Sequence, residues 1–218
     1  MGFVAQEAPQ VDKPLIDLVL AADEEMTALL QEAETAHDPQ RIADIHMRLA
    51  EIDGYSGEAR ASAIMVGLGF EQEDLRRPAR EFSGGWRMRA ALAGVLFSAP
   101  DLLVLDEPTN YLDLEGAAWL EDYLRDYPHT VICVSHDREM LNRSVSHILA
   151  LDDKKLEVFV GGYDAYLKKK AERMALAVGM KAKQDAQKAH LQKFIDRFRA
   201  KASKAAQAQS RIKQLEKM

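Results

Sequence analysis

The chain has 218 residues, 47% of them hydrophobic and 29% charged, a balance typical of a globular protein with one domain and an appendage, or two small domains. No apolar run approaches the roughly 18 residues that span a bilayer, and the N-terminus lacks a basic region followed by an apolar one, so we expect a cytoplasmic protein. The single cysteine, Cys133, lies in the apolar run VICVS, which favours a small buried side chain.

The net charge of -6 conceals two regions of opposite sign. Residues 164–218 contain 15 Lys and Arg against 5 Asp and Glu, so this region is basic and the remainder is strongly acidic. Opposite charge in two parts of one chain indicates two different functions.

The first 100 residues are predicted to be helical after a short strand. Residues 1–14, with the apolar start GFVAQ and two prolines, are typical of a strand that runs into a loop. Apolar residues then recur at helical spacing up to Ile52, and Asp38 and Pro39 are placed to cap and open a second helix. Further helices are predicted over residues 58–68 and 86–97.

Beyond residue 100 the pattern alternates between strand and helix. The predicted elements are strands at 102–105 and 130–135, a helix at 115–126, and a hairpin of strands at 147–151 and 156–160 with Asp152 and Asp153 near its turn. The first two strands are short and continuously apolar, which favours buried parallel strands. This alternation predicts an α/β sheet.

Residues 163–218 differ in character from everything before them. They contain no proline and a single glycine, Gly179, among many Ala, Lys, Gln and Arg residues. These are strong helix formers, so we expect a long helix or a helical hairpin that is broken or bent near Gly179.

The run LLVLDEPTNYLD, residues 102–113, carries the strongest chemical signal. A buried strand would deliver the adjacent carboxylates of Asp106 and Glu107 to its carboxyl end, where ligands bind in open α/β sheets. Asp106 is suited to hold Mg²⁺ directly or through water, and Glu107 to polarise an attacking water. The alternative for this motif alone is an acidic turn after a strand.

Two further motifs point to the same kind of site. In FSGGWRMR, residues 82–89, Gly84 and Gly85 would let a phosphate approach the first turn of a helix, and Ser83 adds a hydroxyl; an ordinary helix start is the alternative. In VICVSHD, residues 131–137, a second strand would bring His136 to the edge that carries Asp106 and Glu107. A histidine there can donate to a phosphate or position water, although a lone histidine is more often structural.

In this order and spacing, FSGGW, LLVLDEPTN, YLD and SHD resemble the signature motif, Walker B segment, D-loop and switch histidine of ATP-binding-cassette domains. The sequence most resembles the ABC-F family, soluble tandem-cassette ATPases that act on ribosomes, with Tyr111 in place of that family's usual histidine. The resemblance implies ATP and Mg²⁺ as cofactors and catalytic roles for Glu107 and His136. It also implies nucleotide contacts from the signature residues and Asp113.

By the same resemblance, Gln6 in GFVAQEAP would be the Q-loop glutamine that contacts Mg²⁺ and nucleotide, with a plain loop glutamine as the alternative. No G-x-x-x-x-G-K-[ST] phosphate-binding loop occurs in the sequence. In the family this loop precedes the Q-loop, so we expect the chain to be a piece of a first cassette and the start of the linker, inactive on its own. Cassettes pair head to tail, and a second cassette would therefore be a partner.

The implied fold is a partial P-loop NTPase nucleotide-binding domain of the α/β class, followed by a long basic helical linker. The cassette would cover residues 1–162, with a helical subdomain at 15–100 and the sheet core at 101–162, and the linker would cover 163–218.

The basic tail allows two interpretations. Its composition alone favours a solvated coiled-coil face, but this density of Lys and Arg also suits phosphate backbones. ABC-F linkers reach ribosomal and transfer RNA, and the stretch RFRAKASKAAQAQSR resembles them. The resemblance implies RNA contacts from five basic residues, Arg197, Arg199, Lys201, Lys204 and Arg211.

Two other functions remain open from the sequence. One is the ATPase subunit of a membrane transporter, against which the basic tail argues. The other is an interaction module that does not hydrolyse ATP, which the missing phosphate-binding loop would suit.

Overall fold

The computed structural model describes residues 2–3, 12–198 and 209–212. The helices are α1 (Leu15–Leu20), α2 (Glu24–Thr35), α3 (Pro39–Glu51), α4 (Gly57–Gly67), α5 (Gly84–Phe97), α6 (Leu114–Arg125), α7 (Arg138–Arg143) and α8 (Tyr163–Phe198). The strands are β1 (Gly2–Phe3), β2 (Leu102–Asp106), β3 (Thr130–Val134), β4 (His147–Asp152) and β5 (Lys155–Val160). Short 3₁₀ helices cover Gly54–Ser56, Asp74–Arg76, Ala79–Glu81 and Pro108–Tyr111.

The chain divides into two compact units, residues 1–148 and 149–218. The division falls inside β4. The first unit contains a three-stranded parallel sheet in the order β1-β2-β3. Its core consists of apolar residues from the helices packed with Leu103 and Leu105 of β2.

Aspartates fix where several of these helices begin. Asp38 accepts a hydrogen bond from the backbone N–H of Gln40 at 3.2 Å with Pro39 at the first helical position, which confirms the predicted cap of α3. Asp23 caps α2 through the Met26 N–H at 2.9 Å. The sequence analysis predicted one helix where α1 and α2 lie, and the cap at Asp23 separates them.

Two expectations about the sheet and the tail are wrong. Strand β3 is parallel to β2, as predicted, but it is not buried: Ile132 and Val134 are about half exposed, because only alternate residues of β3 face the core. Helix α8 runs without a break through Gly179, where an added Cβ would meet no atom within 4 Å. A glycine on an exposed helix face lowers helix propensity by about 1 kcal/mol, which a long helix tolerates.

The second unit begins with strands β4 and β5, which form the predicted hairpin. Its turn residues, Asp153 and Lys154, both have positive φ, as a two-residue type I′ turn requires. Helix α8 contains 36 residues. Among the described residues, no helix is long and apolar enough to cross a membrane.

The packing of α6 on α4 depends on one glycine. Trp119 of α6 lies against Gly67, the last residue of α4, so closely that an added Cβ at Gly67 would overlap the indole ring. The same face of α6 continues with Tyr123, whose ring stacks on Trp119 and whose hydroxyl donates to the carbonyl oxygen of Leu96 at 3.1 Å. Gly67 therefore sets the distance between two helices of the core.

Replacing Gly67 with alanine should destabilise the first unit by about 1–3 kcal/mol, because the indole and α4 must move apart. Gly85→Ala is the matched control, since its Cβ would lie 3.8 Å from the nearest atom, in Tyr111, which is ordinary contact. The measurement is urea unfolding followed by tryptophan fluorescence, because both tryptophans, Trp86 and Trp119, lie in the first unit. Equal midpoints for the two variants would contradict this account of the packing.

Candidate functional site

The carboxyl ends of β2 and β3 lie at one edge of the sheet. Asp106, the last residue of β2, is paired in register with Val134, the last residue of β3. The pairing extends one residue further, because the backbone N–H of Glu107 donates to the carbonyl oxygen of Val134 at 2.8 Å. The structure thus brings Asp106, Glu107 and His136 to the same edge.

The backbone of Glu107 adopts the left-handed conformation, with φ 47° and ψ 52°. This conformation costs a residue with a side chain about 1–2 kcal/mol and is uncommon outside glycine, asparagine and aspartate. It turns the chain out of β2 directly into the 3₁₀ helix Pro108–Tyr111. Strain of this kind at the end of a buried strand is typical of functional sites.

The Glu107 carboxylate faces His136. Its Oε2 atom accepts a hydrogen bond from the His136 backbone N–H at 3.3 Å, and its Oε1 atom lies 3.5 Å from the His136 Nε2 atom. The Glu107 side chain is 22% exposed and that of His136 is 97% exposed. Oε1 is buried and has no hydrogen-bond partner among the described residues, although the His136 Nε2 atom lies within ion-pair distance of it.

Ser83, Gly84 and Gly85 form the start of α5. Ser83 is the N-cap residue, and its hydroxyl makes no capping hydrogen bond to the helix. An added Cβ at Gly84 would lie 4.0 Å from the nearest described atom, in Arg87, so neither Gly84 nor Gly85 is required by packing against the described residues. The N–H groups of a first helical turn attract anions, and the two glycines leave space for one to approach.

Asp113 is held by two donors within the chain. It is the N-cap of α6, where its Oδ1 atom accepts from the Gly116 N–H at 2.9 Å, and its Oδ2 atom accepts from the Arg89 Nη1 atom at 2.9 Å. The bond from Gly116, and then the Arg89 guanidinium, lowers the pKa of this carboxyl group. Asp113 therefore stabilises the fold beside the predicted site.

Arg89, which is not predicted from the sequence, lies on α5 four residues after Gly85. Its side chain is 11% exposed, and besides Asp113 its guanidinium donates to the carbonyl oxygens of Leu68, at 3.2 Å, and Tyr111. Its central carbon also lies 4.3 Å from the centre of the Trp86 ring. Nothing in the sequence distinguishes Arg89 from Arg87, because the acceptors come from distant segments.

Cys133 of β3 is half-buried, and so less buried than predicted. Burial, together with the negative charges of Glu107 and Asp106, raises the pKa of the thiol to about 11. The thiol is therefore protonated at neutral pH and is a packing group rather than a nucleophile.

Several predicted site residues lie outside the described residues, namely Gln6, Arg199, Lys201 and Lys204. Of the remaining predicted RNA contacts, Arg197 is exposed on α8 and Arg211 is exposed in the helical segment 209–212. The described part of the chain contains no group of three or more His, Cys, Asp or Glu residues able to hold a metal ion.

Comparison with known proteins identifies the family. Two family models, both described as ABC transporter, match residues 7–110 and 149–218, and the second begins where the second compact unit begins. The chain is 44% identical to "Probable ATP-binding protein YheS" of Haemophilus influenzae over its whole length and 35% of that protein. It is 41% identical to human "ATP-binding cassette sub-family F member 3", over 99% of the chain and 32% of that protein.

A solved structure shows the same fold. The chain matches "Structure of ATP binding subunit of ABC transporter" with a TM-score of 0.50 and 12% identity, over 72% of the chain and 57% of that structure. The fold is therefore a partial cassette of the P-loop NTPase type followed by a long basic helix. The chain spans about a third of the length of the curated relatives it matches. It belongs to the ABC-F family of ATP-binding cassette proteins.

Proposed function

We propose that this chain contributes the Walker B, signature and switch residues of the first cassette of an ABC-F ATPase that acts on the ribosome. The observation that carries the proposal is the Glu107 carboxylate, which is held beside His136 with one buried oxygen that makes no hydrogen bond to the described residues. A carboxylate in this state can orient and polarise a water molecule for attack on a phosphate.

Each group in the proposed site has a distinct task. Glu107 accepts a hydrogen bond from the attacking water at Oε1, while its Oε2 atom stays on the His136 N–H. The exposed His136 ring donates to the terminal phosphate or positions the water. Asp106, with Gln6 as a second contact, holds Mg²⁺ directly or through water; when bound, this ion neutralises charge on the phosphates.

The start of α5 serves a different nucleotide. Ser83, Gly84 and Gly85 offer a hydroxyl and backbone N–H groups to a phosphate that a second cassette holds, and Asp113, bound to Arg89 of the same helix, is a further proposed contact. An added Cβ at either glycine would make only ordinary contact with the described residues, so packing there does not explain the glycines, which supports this assignment. The second cassette would belong to the same longer polypeptide, and the relatives are about three times the length of this chain.

The basic region would bind RNA. Helix α8 supports this, because its Lys and Arg side chains are largely exposed along a single helix 36 residues long. Ribosomal and transfer RNA are the proposed partners, through phosphate contacts by Arg197, Arg199, Lys201, Lys204 and Arg211. Such contacts give affinity that depends on salt and little on base sequence. We propose a cytoplasmic location, where ribosomes are present.

Glu107→Gln, in a two-cassette protein that includes this sequence, should lower ATP turnover at this site by about 100-fold or more, because the amide cannot act as a base. Stability should change little, since the amide oxygen can still accept from the His136 N–H. Phosphate release measures the turnover. Retention of the ATP-bound protein on ribosomes is measured beside it. The control is Glu51→Gln, an exposed carboxylate paired with Arg48 on α3. Rapid turnover by the Glu107 variant would contradict the role proposed for Glu107.

Exchange of the five proposed RNA-binding residues for glutamine should weaken ribosome association. The slope of log affinity against log salt concentration should fall by about 0.7–0.9 for each phosphate that is no longer neutralised, measured by co-sedimentation at several salt concentrations. Glutamine keeps helix propensity, so α8 should persist. A matched control removes five exposed arginines of the first unit, namely Arg41, Arg48, Arg76, Arg80 and Arg125. Equal salt slopes for the two variants would refute RNA binding by these residues.

A further inference from the structure

Among the described residues, Arg89 is the one nearly buried cation that joins α5 to the loop following Glu107. Its guanidinium donates to acceptors on three segments: Leu68 at the end of α4, Tyr111 at the end of the 3₁₀ helix, and Asp113 at the start of α6. A planar guanidinium with five donors suits several acceptors at once, which the ammonium group of lysine does not.

The contacts of Arg89 reach both halves of the proposed site. On one side, its guanidinium lies over the ring of Trp86, the residue that follows Gly85. On the other side, Tyr111 is the last residue of the 3₁₀ helix for which Glu107 is the N-cap. The Tyr111 ring also lies where a Cβ at Gly85 would touch it, at 3.8 Å. A movement of Gly84 and Gly85 would therefore displace the backbone at Glu107 through the contacts of Arg89 and Tyr111.

Arg89 does more than fill space between helices. Burying a guanidinium has a desolvation cost, which an apolar side chain of similar size would avoid. Two of its acceptors are backbone carbonyl oxygens, so these contacts fix the position of the backbone and not only of a side chain. Contacts of this kind hold loops at a defined distance from α5.

We infer that Arg89 is a positioning residue that makes hydrolysis at Glu107 depend on a nucleotide bound at Ser83, Gly84 and Gly85. The inference rests on the proposed function, in which Glu107 acts on one nucleotide and Ser83, Gly84 and Gly85 contact another. In a head-to-tail pair of cassettes, Arg89 would then connect the two nucleotide sites within one cassette. Energetic coupling between sites requires such a shared, discrete arrangement of contacts.

The contacts can be tested in this chain without nucleotide. Arg89→Gln should raise the pKa of Asp113 toward the ordinary aspartate value, because the positive charge is removed and the shorter side chain loses the guanidinium contact, while the Gly116 N–H keeps it partly lowered. The Asp113 carboxyl signal in an NMR titration measures this. Arg125→Gln, on the exposed face of α6, is the control and should leave the pKa of Asp113 unchanged. An unchanged pKa in the Arg89 variant would overturn the contact on which the inference depends.

A test of the coupling requires a two-cassette protein in which the corresponding carboxylate of the second cassette is neutralised. Only the Glu107 site then hydrolyses ATP. In that background Ser83→Ala and Arg89→Gln should each lower kcat, the latter by about 10-fold to 100-fold, with KM changed by less than about 3-fold. The double variant should be no slower than Arg89→Gln alone, since the effect of Ser83 passes through Arg89. Arg89→Lys should not restore the rate.

The outcomes separate this inference from the proposed function. If Glu107→Gln turns over as fast as its parent, the proposed function fails, and the inference with it. If Glu107→Gln is inactive but the effects of Ser83→Ala and Arg89→Gln multiply, the sites are not coupled through Arg89 and the inference alone is wrong. Variants that melt at lower temperature but keep kcat, assayed well below their melting points, would leave Arg89 a purely structural residue and would also overturn it.

Discussion

The parallel pairing of β2 with β3 is the constraint on which the candidate site depends. Its register places Asp106 beside Val134, and the bond from the Glu107 N–H to the Val134 carbonyl oxygen continues the ladder one residue past the strand. That bond holds Glu107 while its backbone enters the left-handed region and the chain turns away. A slip of one residue would reverse which side chains face the core and would separate Glu107 from His136.

The sequence was most informative where a local chemical rule decides the structure. The acidic end of β2, the Asp38–Pro39 helix start and the hairpin turn after β4 depend on neighbours in the chain, and each was predicted correctly. The errors have a different cause. The exposure of β3 depends on what packs over the sheet, and the continuity of α8 through Gly179 depends on the strong helix formers around it.

The residues of the candidate site also differ in how far the sequence alone could predict them. Glu107 and His136 could be placed at one edge because each lies within two residues of the end of an apolar strand, and the carboxyl ends of parallel strands meet there. Arg89 could not, because its acceptors lie about 20 residues away in each direction along the chain, at Leu68, Tyr111 and Asp113. A residue whose role is to connect distant segments leaves no periodic or spacing signal in a single sequence.

The groups that packing does not use indicate what the site requires from outside. Buried polar atoms normally make hydrogen bonds, yet the Glu107 Oε1 atom makes none to the described residues and lies 3.5 Å from the His136 Nε2 atom. Glycines that begin helices normally relieve a clash or a strained turn, yet among the described residues Gly84 and Gly85 do neither. Asp113, by contrast, is already occupied by Gly116 and Arg89. The Glu107 Oε1 atom and the open glycine turn are therefore the surfaces that a ligand would complete, while Asp113 and Arg89 keep those surfaces in position.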